Sequence, residues 1–508
     1  MSALKFIQQH IGLFALCLGL LNPVFGQAAQ PKPRIIITTD PECDDNNSLI
    51  HFLLRSCDFK VDGLICASSR YHWKGNGTAE RRHVTESSFL QKDFGYRDTW
   101  RWSNGHIEAV VEAYAQSYDN LKVHHEGYPT PEYLRSIVRY GNIDFEGDYT
   151  HDTPGSDLIK QCLLDNVPGK LYVAVWGGAS TLARALKSIE ETYSSHADWV
   201  QLKQKISQKL VICMALDQDG SYPCYIQPVW PDVTVLKGSQ TKLKISYYPQ
   251  LNASSEEKPY YSPEWMWSNV SSKGVMGEQT RVWGDGKQLV KGDVCDCFGE
   301  ANKTKDELQA LGYVDGVLGT EPKGSFLGEG DTYSFLNLID NGLRADEDPS
   351  WGGWNGRDVH TDKNVTADFN PTAQTAIDSA YIDFDFFPAY MNGLATRYTW
   401  AVTPAFKDAN HEPVISAPEQ LTVAPGQLVS IKATVKDPDD NKVLLKWWQF
   451  NVGTYPRAVE LKRTTSPTVQ FTVPKDAQHG QTIHIILSAT DVSSMPLTRY
   501  HRVVVTVK

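Results

Sequence analysis

The run Ile35-Ile36-Ile37 leads without a break into Thr38-Thr39-Asp40-Pro41-Glu42-Cys43-Asp44-Asp45, so an apolar, β-branched segment ends in three aspartates within six residues. Apolar residues at consecutive positions mark a strand covered on both faces, as in a parallel sheet flanked by helices. Ligands of such sheets bind beyond the C-terminal strand ends, where Asp40, Asp44 and Asp45 fall. Carboxylates crowded at a buried edge repel one another and resist desolvation, and a cation relieves both costs. Oxygen donors without histidine or thiolate at zinc spacing favour calcium or magnesium. The alternative is that Asp44 or Asp45 caps the next helix, a role aspartate fills well.

From Arg34 onward strand and helix alternate. Val61 to Cys66, Leu171 to Trp176 and Lys209 to Ala215 read as further strands. Ser48 to Leu54, Ile107 to Tyr118, Asp157 to Leu164 and Thr181 to Leu186 read as helices. This predicts an α/β fold, a mainly parallel sheet with flanking helices and a Rossmann-like core. Tyr247 to Asn370 is rich in Trp, Gly and Asp and irregular, apart from a helix expected over Thr332 to Leu343. After Phe406 the helical period disappears. Short β-rich runs (Leu421–Val423, Val429–Val435, Val443–Phe450, Thr468–Val473, Ile483–Ala489, Tyr500–Val507) alternate with turn residues such as Pro425-Gly426. That pattern predicts an immunoglobulin-like β-sandwich without its disulfide. His411-Glu412-Pro413 reads as the linker.

The expected organisation is a signal peptide over 1–26, a main domain over 31–406 and the sandwich over 413–508. The signal peptide is read from the apolar stretch Ile11 to Leu21, Asn22-Pro23 and the small residues up to Gly26. It places the mature protein outside the cytoplasm, secreted or periplasmic. No apolar run is long enough to span a bilayer. A net charge of −11, with no basic run to follow a phosphate backbone, argues against nucleic acid as a partner. Of nine cysteines, eight lie between Cys43 and Cys297. In an oxidising compartment Cys213 and Cys224 are the expected pair, and Cys295-Asp296-Cys297 reads as a loop because it lacks a second zinc-spaced pair. His124-His125 and His360 likewise read as surface or loop residues. The polar run Asp217, Gln218, Asp219 follows a strand and is either a ligand contact or an ordinary loop. Trp351 and Trp354, with glycines between, form either a stacking platform for a sugar ring or a packed structural loop.

Asp40-Pro41-x-x-Asp44-Asp45 after a first strand resembles the fingerprint of nucleoside hydrolases, which have Gly at the position of Glu42 and an earlier Asp at that of Thr38. Trp176-Gly177-Gly178-Ala179-Ser180-Thr181-Leu182-Ala183 resembles that superfamily's strand-to-helix turn, and Gly330-Asp331-Thr332 stands where it has His-Asp-Pro. The chain is more similar still to a nucleoside hydrolase-like branch described as cellulose-binding proteins. Ser68-Ser69-Arg70, Trp351-Gly352-Gly353-Trp354 and a C-terminal sandwich with Pro474-Lys475-Asp476-Ala477 carry that likeness, which covers nearly the whole mature chain.

The resemblance implies calcium held by Asp40, Asp45, Asp331 and the backbone carbonyl of Trp176. Asp44 would bind substrate hydroxyls or support the site, and Asp40 would act as general base in hydrolysis of a glycosidic, N-ribosyl-like bond. The implied partner is a small-molecule glycoside or a cell-wall carbohydrate. Gly330 takes the place of the histidine that protonates the leaving base, which leaves Glu329 as the candidate substitute acid. The competing expectation is a carbohydrate-binding protein, for cellulose, with no turnover.

Overall fold

The computed structural model describes residues 32–508 except 79, 85–92, 215, 238–241, 248–252, 294–295, 300–303, 311–320, 357, 363–364 and 369–385. The expected signal peptide and Cys295 lie outside the described residues.

The main sheet is built from β1 (Arg34–Thr39), β2 (Lys60–Cys66), β5 (Val138–Tyr140), β6 (Leu171–Val175), β7 (Leu210–Met214), β8 (Thr234–Lys237), β9 (Asp358–Asp362) and β10 (Val365–Asp368). A separate hairpin, β3 (Arg82–Val84) and β4 (Gly95–Arg97), lies between β2 and β5 in sequence. The spatial order is β5-β2-β1-β6-β7-β8-β10-β9, parallel throughout except for the last pair. Every residue of β1 is buried, as its unbroken apolar run predicts. Ile35 and Ile37 join one apolar core with α1 (Cys43–Leu54) and α2 (His106–His124), while Ile36 joins the other with α4 (Pro154–Leu164) and α5 (Ser180–Tyr193). The two-residue period of a strand thus feeds both helical layers. The short α3 (Pro131–Ser136) and the longer α6 (Trp199–Lys209) also lie on this half of the chain. Helix α4 starts where the local sequence dictates: Thr153 and Ser156 form a reciprocal capping box and Pro154 occupies the first turn.

The C-terminal strands give a four-stranded sheet and two strand pairs. Strand β11 (Val414–Ser416) pairs with β14 (Thr434–Lys436), and β13 (Leu428–Lys432) pairs with β16 (Thr468–Thr472). Strand β12 (Gln420–Val423) lies beside β18 (Thr498–Val507), then β17 (Thr482–Asp491) and β15 (Val443–Phe450). Alternate residues such as Val429, Ile431, Val469 and Phe471 form its own core around Trp447.

The structure corrects several expectations. The helix over Thr332 to Leu343 is a single turn, Tyr333–Leu336, because the backbone beyond it bonds to the sandwich: Tyr500 N–H donates to Asn341 O at 3.0 Å and Arg502 N–H to Gly342 O at 3.1 Å. Cys213 and Cys224 are not joined, since the first is buried within β7 and the second is exposed in the turn Tyr222–Ile226. His124 is a buried residue of α2, not a surface one, with Nδ1 3.0 Å from His411 Nε2 and Nε2 2.8 Å from Thr403 O.

The linker residues are fastened down. His411 Nδ1 lies 2.9 Å from Asp439 Oδ1, and Glu412 reaches Arg397 at 3.3 Å and Arg55 at 3.5 Å. Burial alone would raise the Glu412 carboxyl, but Arg397 and Arg55 hold it below its usual range. Both guanidiniums are almost wholly buried. Removing the shared anion would leave two buried cations with only the more distant Asp58, 3.9 Å from Arg55, to offset them. Glu412→Ala is therefore expected to lose about 3 kcal/mol of unfolding free energy. Equilibrium urea denaturation checks it, and a loss below about 1 kcal/mol, the range of exposed pairs, would contradict it.

Candidate metal centre and active site

From β1 the chain passes to β2 and β5 on one side of the sheet and returns to β6, β7 and β8 on the other. The crevice at such a switch point is where open α/β sheets take ligands. Here the turns after four strands are laced together. Trp176 N–H donates to Thr38 O at 3.0 Å, Ala67 N–H to Thr39 O at 2.9 Å, Gly178 N–H to Ser68 O at 2.9 Å and Arg70 N–H to Gln218 O at 3.0 Å. The Trp-Gly-Gly motif is the close approach in this weave. A Cβ on Gly177 would lie 3.2 Å from Asp40 Oδ2, and one on Gly178 2.1 Å from Asp219 Oδ2.

Asp40 is fully buried. Its Oδ2 is 3.1 Å from His72 Nδ1, while Oδ1 has no hydrogen-bond partner among the described residues. Asp45 Oδ1 accepts from Thr39 Oγ1 at 2.7 Å and from the Asp40 N–H at 3.1 Å. Asp44 Oδ1 accepts from Tyr247 Oη at 2.8 Å, and Asp44 Oδ2 would stand 2.0 Å from a Cβ on Gly330. Neither Asp44 nor Asp45 is the helix cap: Glu42 occupies that position without a capping bond, and the aspartates lie inside the first turn.

The three motifs converge. The Asp331 N–H donates to Ser48 Oγ of α1 at 3.2 Å. Its carbonyl accepts from Ser334 Oγ at 2.7 Å, and Ser334 Oγ in turn accepts from Trp176 Nε1 at 2.8 Å. Burial, and then the charges of Asp40, Asp331, Asp44 and Glu42, push the Asp45 carboxyl well above the usual carboxylate range. Burial and Asp44 do the same to Glu42. Asp40 goes the other way: burial would raise it, but His72 and Ser69 outweigh that and hold it low.

The remaining residues read from the sequence are spread around and behind this centre. Gln218 Nε2 donates to the Trp176 carbonyl at 3.0 Å. Asp219 accepts from the N–H groups of Ser180 at 2.9 Å and Ser221 at 3.0 Å, bracing the start of α5. Asp217 accepts from the Tyr222 N–H, and burial with Asp219 beside it raises its carboxyl to about 6. Glu329 points into the helical layer, where Oε2 meets His51 Nδ1 at 2.8 Å, Tyr390 Oη at 2.9 Å and Thr332 Oγ1 at 3.1 Å. Trp354 is buried against Tyr390 and Arg55. Trp351 packs edge-on to His484, with Arg502 over its ring and Arg502 Nη2 bonded to its carbonyl at 3.1 Å. Trp351, half-buried, thus packs toward the sandwich, whereas Trp354 is buried within the main domain.

Sequence reasoning missed four neighbours of the cluster. Glu42 lies within the motif itself but carries no role in that reading, while His72, His106 and Tyr247 come from separate segments and follow no periodic pattern. His72 could have been found from topology alone, since it follows the end of β2 as Asp40 follows β1, and β1 and β2 are adjacent. His106 opens α2, is buried, has both ring nitrogens without a hydrogen-bond partner among the described residues, and is pushed down to about 4 by that burial.

The residues present fit a divalent cation. Asp40 Oδ1 is an orphaned buried oxygen, and Asp40, Glu42, Asp44, Asp45 and Asp331 lie close enough to raise one another's charge cost. With chelator present, Asp45 and Glu42 have folded-state affinities for protons above the unfolded value of about 4. Their contribution to stability is present below that pH and is lost as pH rises toward neutrality. Thermal melts in chelator are therefore expected to fall as pH is raised above about 4. Calcium at a hundredfold excess over its Kd should restore about 2.7 kcal/mol at pH 7. Melts that are indifferent to calcium at pH 7 would contradict the fit. Gly330→Ala should cost about 1–3 kcal/mol, because its methyl would meet Asp44 Oδ2. The same urea titration measures it, and an unchanged midpoint would contradict the contact.

Comparison with known proteins agrees with this architecture. Across 94% of this chain and 100% of the other, the fold is similar to a nucleoside hydrolase-related protein from Saccharophagus degradans associated with carbohydrate metabolism, with TM-score 0.67 and 22% identity. The type III effector XopQ, solved with adenosine diphosphate ribose, is a more distant match, with TM-score 0.35 and 10% identity over 74% of this chain and 95% of that one. No curated protein matches the chain significantly. Residues 34–357 match the family described as cellulose-binding Sde182, nucleoside hydrolase-like domain, and residues 428–507 match the C-terminal domain of the cellulose-binding protein Sde0182. The chain belongs to this family of cellulose-binding proteins with a nucleoside hydrolase-like domain.

Proposed function

We propose that the protein is an exported, calcium-dependent hydrolase of a glycosidic bond of N-ribosyl-like kind. The observation that carries this reading is the Asp40 carboxylate: fully buried at the sheet's switch point, held in its charged form, and with Oδ1 unpartnered. Asp40, Asp45, Asp331 and the Trp176 carbonyl would hold calcium, with Asp44 left for sugar hydroxyls. Calcium bound there supplies charge stabilisation and a more acidic water. Asp40 is the chain's own base. His72 fixes its Oδ2, so Oδ1 accepts the proton as a water attacks the anomeric carbon through an oxocarbenium-like state.

The leaving-group side differs from that of a nucleoside hydrolase. Gly330 carries no acid, and its contact with Asp44 leaves no room for one. Glu329, committed to His51, Tyr390 and Thr332, does not substitute for it. Substrates whose leaving group departs without a donated proton are therefore favoured, such as aryl ribosides. A second reading rests on the family's description: a cellulose-binding role without turnover, with the sandwich adding attachment.

Release assays on aryl ribosides, nucleosides and cell-wall oligosaccharides, with and without chelator, separate the two. Turnover should require calcium, and Asp40→Ala should lower kcat by about 10²–10⁴. Retention on cellulose by both proteins, with no release from any substrate by either, would overturn the hydrolase and favour the binding role.

A further inference from the structure

The carboxylate cluster contains a nitrogen donor that its acidic motif does not announce. One ligand atom each from Asp40, Glu42 and His72 lie within 4.8 Å of one another. These residues come from the turns after two adjacent strands, so the sheet itself sets their spacing. His72 is buried, and its Nδ1 stands 3.1 Å from Asp40 Oδ2. With metal–ligand bonds of about 2.1 Å, two ligands at right angles stand about 3.0 Å apart. The observed separation therefore suits two neighbouring ligands of one ion as well as it suits a hydrogen bond. A further observation points to a bound cation there. Asp40 Oδ1 is buried without a hydrogen-bond partner among the described residues.

We propose that Asp40, Glu42 and His72 form a mixed nitrogen and oxygen site for a borderline divalent cation such as Mn²⁺, Co²⁺ or Zn²⁺. Imidazole beside carboxylates selects such ions over calcium, which takes oxygen donors. Glu42, which departs from the nucleoside hydrolase fingerprint, supplies the second carboxylate. His106, whose ring nitrogens bond to nothing among the described residues, is not one of the ligands. This inference shares Asp40 with the hydrolase reading but is independent of turnover.

The test uses the untagged full chain, stripped with chelator and loaded with one equivalent of Mn²⁺. Pulsed EPR should show a coordinated ¹⁴N coupling that changes to ¹⁵N on labelling of histidine. His72→Gln should abolish that coupling and weaken Mn²⁺ binding at least about tenfold in calorimetry. Glu42→Gln should weaken binding similarly while keeping the coupling, and His106→Gln should keep it too. Mn²⁺ bound through oxygen alone in the wild type overturns the proposal without any variant having to fold. Coupling lost in His106→Gln and retained in His72→Gln overturns the assignment. Calcium binding with no ¹⁴N coupling sinks this inference alone, whereas ¹⁴N coupling with no glycoside release sinks the hydrolase alone.

Discussion

Five carboxyl groups gathered at the end of one buried strand set the terms for the rest of this molecule. Asp40, Glu42, Asp44, Asp45 and Asp331 are held where water cannot fully screen them, and the consequence is visible in the raised carboxyls of Asp45 and Glu42. The chain offers partial compensation: Thr39 and a backbone N–H for Asp45, His72 and Ser69 for Asp40, Tyr247 for Asp44. What remains uncompensated, above all Asp40 Oδ1, is an acceptor suited to a cation or to a water beside one. Stability and chemistry are coupled at one place, because the groups that lose most from desolvation are those suited to hold a metal and move a proton.

Keeping that cluster rigid involves most of the chain. The first turns of α1 are polar yet buried, and they are bonded outward: Asn46 to Gln279 O, Asn47 to Arg281 O and Gly328 O, Ser48 to Asp331. The segment that looked irregular is therefore the wrapping of the helix that carries Asp44 and Asp45. Farther out, Arg502 of β18 bonds to the carbonyls of Leu343, Trp351 and Gly352, so the sandwich is fixed to the same wrapping. The Trp-Gly-Gly-Trp run serves this junction.

How much was legible follows from how local each determinant is. Strand β1 is readable from three consecutive isoleucines, and its aspartates as a candidate site, because a buried strand end seldom carries charge without a reason. Trp176 and Asp331 were placed by motif likeness, and the bonds through Ser334 bring them together. The sandwich strands followed from period-two alternation. What failed was long-range. The helix expected after Thr332 is cut short by a backbone partner more than a hundred residues away, and Trp354 is covered by Arg55 from α1's end. His124 finds His411 only once α2 and the junction meet. Pattern along the chain carries no record of such partners.

The central claim is that the end of β1 is a cation site. Anomalous scattering from crystals grown with calcium, and again with manganese, tests it most directly. The account predicts a peak among Asp40, Asp45, Asp331 and the Trp176 carbonyl, within about 2.6 Å of at least two carboxylate oxygens. Crystals saturated with either ion that show no peak at the cluster, with the carboxyls still packed together, would contradict it.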